Sequence, residues 1–87
     1  MIPSNLAVEV LSRSNTPGEM TLKRQDYFGS GVELVWEIDP ADRTIRVYTS
    51  PTNPTTLTTA DVLDGGTVLP GFTIPVGQVF AELDRRG

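Results

Sequence analysis

The sequence predicts an α+β domain: a twisted, mainly antiparallel sheet of about four to five strands with one principal helix packed on a face. Three stretches carry this expectation. Val32 to Asp39 alternates apolar and polar residues, with Val32, Leu34, Trp36 and Ile38 on one side. After a Pro40-Ala41-Asp42-Arg43 turn, Thr44 to Thr49 places Ile45 and Val47 together, so the two segments form an antiparallel hairpin. Upstream, Thr16-Pro17-Gly18-Glu19 combines a capping threonine, a proline at the first helical position and a glutamate three residues after the cap, which opens a helix.

The remaining elements follow in chain order. Asn5 to Leu11 reads as a strand buried on both faces, because Leu6, Ala7, Val8, Val10 and Leu11 form an almost continuous apolar run. Glu9 interrupts it. A carboxylate there must be paired, hydrogen-bonded, protonated or holding a metal, since a buried unpaired charge is costly. Ser12 to Asn15 is a polar loop, and the helix runs from Pro17 to Phe28, with Gly29 or Gly31 supplying the left-handed stop. Met20, Leu22, Tyr27 and Phe28 give that helix an imperfect apolar side, and Lys23 or Arg24 could turn toward the first strand.

Beyond Ser50-Pro51-Thr52-Asn53-Pro54, Thr55 to Thr59 is expected as a short strand, Asp64-Gly65-Gly66 as a turn and Thr67 to Leu69 as a very short strand. Val76 to Leu83 closes the chain as a short helix. Trp36 and Tyr27 read as core, and Glu33, Glu37, Asp39 and Asp42 as solvated strand and turn positions. Asp61 and Asp64 flank an ordinary turn and lack the spacing of a calcium loop.

Composition narrows the chemistry. The 87 residues make a single domain with a modest core, and they include neither cysteine nor histidine. Disulfides, thiolate metal centres and imidazole-based proton relays are thereby excluded. Catalysis in such a chain falls to carboxylates, lysine, tyrosine or hydroxyls, with a hard cation such as Mg²⁺ the most suitable helper. A net charge of -4 describes a mildly acidic protein without a uniformly basic surface. No apolar run approaches a membrane span, and the N-terminus lacks the pattern of a secretory signal, so a cytoplasmic chain without a membrane partner is expected.

PSNLAVEVLSRSNTPGEMTLKRQDYFGSGVELVWEIDPADRTIRVYTS, followed by VLDGGTVLPGFTIPVGQVF, resembles the C-terminal half of the bacterial Uma-two family, described as putative restriction endonucleases of the PD-(D/E)XK nuclease superfamily. The resemblance covers nearly the whole chain. It rests on a glutamate in an apolar strand followed by Val-Leu-Ser, a lysine and a tyrosine on the next helix, Gly-Val leading into a tryptophan-bearing strand, Asp-Pro at the hairpin turn, and Leu-Pro-Gly-Phe near the end.

The resemblance implies a truncated restriction-endonuclease-like fold over residues 1–87 and, as ancestral activity, Mg²⁺-dependent hydrolysis of DNA phosphodiesters. Glu9 matches the strand glutamate that holds the metal, and Lys23 matches the helical lysine that helps orient or activate water, since the position two residues after Glu9 is Leu11. Asn5 stands where the family pattern has an aspartate, and the earlier strand that contributes a metal-binding Asp has no counterpart here. Asn5 cannot replace it, because residues four apart on a strand stand about 13 Å apart.

Three functions stay open: a catalytically impaired nuclease fold, a DNA hydrolase whose site a partner chain completes, and a non-catalytic homodimeric interaction domain. For Glu9 itself, an inherited metal ligand stands beside a structural ion pair with Lys23 or Arg24. A homodimer is expected in any case, through the apolar Glu9 strand or the sheet face that the absent half leaves uncovered.

Overall fold

The computed structural model describes residues 5–86. Pro3 and Ser4 of the stretch quoted above, and the N-terminal segment weighed as a signal, lie outside the described residues. The chain runs β1 (Leu6–Val10), α1 (Pro17–Gly29), β2 (Leu34–Asp39), β3 (Thr44–Tyr48), β4 (Thr55–Leu57), β5 (Val62–Asp64), β6 (Thr73–Pro75) and α2 (Val76–Arg86). The first four strands form one sheet in sequential order, and β5 and β6 form a separate two-stranded ribbon.

Mainly antiparallel pairing holds: β2–β3, β3–β4 and β5–β6 are antiparallel, and β1–β2 is parallel. The exception follows from α1. A helix inserted between two neighbouring strands carries the chain back to the starting end of the sheet, which makes the pair parallel. Helix α1 begins as its sequence predicts, with Thr16 Oγ1 accepting from the Glu19 amide at 3.1 Å. The Glu19 carboxylate accepts from Asn15 Nδ2 at 2.9 Å rather than from the cap's own amide, so only half of the capping box forms. The helix stops at Gly31, whose φ of 97° is left-handed, with the Gly31 and Val32 amides donating back to the Phe28 and Tyr27 carbonyls.

Strand alternation divides the side chains between two layers. Leu6, Leu34, Trp36, Ile38 and Ile45 join Leu63, Val76 and Phe80 of the C-terminal ribbon and α2 in one core cluster. Burying each large apolar side chain in it contributes roughly 1.5–3 kcal/mol. The ribbon closes tightly at Gly65, where a Cβ would come within 2.5 Å of Leu69 Cβ. On the opposite face, α1 lies over Val35, Glu37 and Tyr48.

Three expectations are corrected. β1 is not buried on both faces: it pairs with β2 alone among the described residues, and Val8 and Val10 are 36% and 49% exposed. An apolar run gives burial only where neighbours cover it, and β1 has them on one side. Thr67 to Leu69 is a turn; the ribbon strands are Val62–Asp64 and Thr73–Pro75, each too short to show alternation. The terminal helix extends beyond Leu83 to Arg86.

Candidate functional site

The face beneath α1 carries a row of polar residues. Glu9 on β1 is the register partner of Glu37 on β2, which is the partner of Arg46 on β3. Strands lie about 4.8 Å apart, so these three side chains stand side by side on one surface. Above them α1 lowers Met20, Lys23, Arg24 and Tyr27, at the i, i+3, i+4, i+7 spacing of one helix face.

The sequence reading of Leu22 as part of the apolar side is corrected, since it is exposed. The inward stripe is charged because the sheet beneath it is charged.

Glu9 receives two α1 side chains. The Tyr27 hydroxyl donates a hydrogen bond to Oε1, and Lys23 Nζ lies 3.6 Å from the same oxygen. The bond to Glu9 pushes the Tyr27 phenol up to about 12, with burial and the Glu9 charge adding to the effect. The Lys23 side chain is 44% exposed, so its ammonium meets both the carboxylate and solvent. Asn5 turns elsewhere: its Nδ2 donates to Glu33 Oε2 at 2.7 Å.

Glu37 was expected in solvent and is instead the buried charge of the fold, 1% exposed. It sits on an inner strand of the sheet, beneath α1 and between β1 and β3, which cover it. Arg24 Nη1 donates to Glu37 Oε2 at 2.6 Å, and Arg46 Nε lies 3.7 Å from Oε1. Arg24 is fixed further by a 3.3 Å bond from Nε to the Pro51 carbonyl and by its position 4.3 Å over the Tyr48 ring.

Charge on this face is therefore sorted. Lys23 and Tyr27 serve Glu9, and the two arginines serve Glu37. A magnesium ion needs several oxygen ligands in near-octahedral array. Glu9 offers one carboxylate, and Glu37, the neighbour that register would supply as a second, is held by guanidinium groups. No group of three or more Asp, Glu, His or Cys capable of holding a metal occurs among the described residues. These residues by themselves do not fit a complete magnesium site.

The Arg24–Glu37–Arg46 cluster escaped the sequence reading, which placed Glu37 in solvent. The signal was present in phase: Glu37 alternates away from Trp36, so it shares a face with Glu9 once β1 pairs with β2 in register.

The architecture is a parallel strand–helix–strand unit continued by an antiparallel hairpin, with Glu9 on the first strand and Lys23 on the crossover helix. The family model for Uma2, described as a putative restriction endonuclease, matches residues 1–77, and the chain belongs to this family. Among solved structures, it is similar to a putative nuclease belonging to DUF820 from Anabaena variabilis, with a TM-score of 0.79 and 18% sequence identity. That similarity covers 91% of this chain and 45% of the other, so the chain spans less than half the neighbour's length. No curated protein matches the chain.

Proposed function

We propose that this chain carries the glutamate–lysine half of a metal-dependent DNA phosphodiester hydrolase, and that on its own it is catalytically impaired. Membership in the restriction endonuclease family supports the reaction class. The carrying observation for the impairment is the sorting of carboxylates, with Glu9 bound to Tyr27 and Lys23 and Glu37 bound to Arg24. In this reading Glu9 supplies one ligand oxygen to a divalent cation. Lys23 holds its ammonium beside that position, where it would orient a water or a phosphate oxygen. The other anionic ligand comes from outside the described residues or from a second copy.

The edge position of β1 supports a second reading, in which the chain is a homodimeric interaction domain. A strand with Val8 and Val10 exposed and an open ladder is a ready template for pairing. The only charge within β1 is Glu9. A two-fold contact through β1 would bring two copies of Glu9 toward each other and complete the site by symmetry.

A plasmid-nicking assay in Mg²⁺ or Mn²⁺ tests the proposal, with the natural chain beside Glu9→Ala and Lys23→Ala. Little or no cleavage by the chain alone is expected. Rapid cleavage that disappears in both variants would contradict the impairment.

A further inference from the structure

A cleft of about 780 Å³ opens on the α1 side of the sheet, at the carboxyl ends of the parallel strands β1 and β2, between the β1–α1 loop, the first half of α1 and the β2–β3 turn. Arg13, Arg24, Glu37, Asp39 and Arg46 belong to its lining, and Glu9 and Lys23 do not. Three guanidinium groups against two carboxylates give this lining a positive balance in a chain of net charge -4. The carboxyl ends of parallel strands, beside the start of a helix, also leave room and partial positive charge for an anion.

The hydrogen-bonding capacity that the lining leaves unused is donor capacity. Its acceptors are engaged: Arg24 Nη1 donates to Glu37 Oε2 at 2.6 Å, and the Ala41 and Asp42 amides donate to Asp39 Oδ1 at 3.0 and 3.3 Å. Glu37 is 1% exposed and meets no occupant. Arg24 is spent as well, on Glu37, the Pro51 carbonyl and the Tyr48 ring. Arg13 and Arg46 differ. Among the described residues the arginine side-chain hydrogen bonds come from Arg24 and Arg85, and Arg13 joins no ion pair. Arg46 lies 3.7 Å from Glu37, beyond hydrogen-bond range, with its side chain 30% exposed. Tyr48, the aromatic residue of the lining, is buried beneath Arg24, so the cleft offers no ring face on which a base could stack.

We propose that Arg13 and Arg46 hold phosphate groups of a DNA strand in this cleft, gripping the strand by its backbone and independently of base identity. A guanidinium presents paired N–H donors that match phosphate oxygens, and each phosphate so met releases counterions. The two arginines come from different elements, the β1–α1 loop and β3, and the cleft has the size of a site for a whole small molecule rather than for one ion, which favours a strand over free phosphate. The inference rests on the nucleic-acid reading of this chain and deepens it. It assigns the grip on the substrate to a cleft apart from Glu9 and Lys23.

The test is fluorescence anisotropy of a labelled DNA duplex in EDTA, across roughly 50 to 200 mM salt, so that it depends on neither turnover nor a complete metal site. Binding should weaken steeply with salt and be alike for different base sequences. Arg13→Ala and Arg46→Ala should each lower affinity about fivefold or more and reduce the salt slope by about one. Arg46→Lys, which keeps the charge, should keep the slope. Arg85→Ala, on α2 and outside the cleft, should change neither quantity. Arg13 is exposed, so its variant tests the grip even where Arg46→Ala loosens the surroundings of Glu37. No binding, unchanged affinity in Arg13→Ala, an equal loss in Arg85→Ala, or displacement of the duplex by inorganic phosphate at equal phosphate concentration would overturn the inference. Glu9→Ala should bind as the natural chain does, so failure of this grip and failure of the hydrolase reading are told apart.

Discussion

Glu9 and Glu37 face each other across the parallel β1–β2 ladder, yet each is neutralised from a different part of α1 and the sheet. Lys23 and Arg24 are consecutive residues, and the helix turn between them sends one to each carboxylate. That division makes Glu9 the accessible carboxylate and Glu37 the structural one.

Arg24→Ala or Glu37→Ala should lower stability by about 3–5 kcal/mol, because each leaves a buried charge without its partner. Arg24 is 13% exposed and Glu37 1%, so solvent offers little relief. The paired replacement Arg24→Met with Glu37→Leu should recover most of the loss. Urea unfolding of the three variants checks this; a double variant no more stable than the singles would show that the pair is not isolated from Arg46.

Tyr27 gives a pH signature. Its phenol is pushed up from its ordinary 10.0 to about 12 by the bond to Glu9, so the folded state holds the proton more tightly than the unfolded state. The stabilisation from this bond is fully present below pH 10 and declines as pH rises toward 12. Spectrophotometric titration should show one of the two tyrosines ionising late, and Glu9→Gln should bring it back toward 10. A late component that persists in Glu9→Gln would assign the shift to another cause.

The ends of α1 should respond in proportion to their backbone roles. Thr16→Ala removes the acceptor for the Glu19 amide and should cost about 1 kcal/mol. Gly31→Ala forces a side chain into a left-handed φ of 97° and should cost about 1–2 kcal/mol. Thermal unfolding followed by circular dichroism measures both.

For the edge strand, sedimentation at micromolar concentration is expected to show a dimer that Val10→Lys converts to monomer, since a lysine on an edge strand blocks pairing. A monomer in the natural chain would remove the interaction-domain reading.

The sequence made the hairpin legible because β2 and β3 alternate over enough residues to set their phase, and α1 because Thr16-Pro17 and Gly31 mark its ends. Glu9 and Lys23 were legible as a pair through the family resemblance, and they do stand 3.6 Å apart. β1 misled because an apolar run does not say whether a neighbouring strand exists. Glu37 misled because alternation on β2 looked one-sided, while its central position buries both faces. The ribbon strands β5 and β6, three residues each, are set by the Gly65 turn and by packing of Leu63 and Ile74 against the core rather than by local pattern.

In the proposed function Glu9, and not Glu37, is the carboxylate that receives a divalent cation. Paramagnetic broadening of amide signals by Mn²⁺ tests it directly. The expected result is weak binding in which broadening centres on Val8, Glu9 and Val10 and vanishes in Glu9→Ala. Broadening centred on Glu37 and Arg46, or left intact by Glu9→Ala, would contradict it.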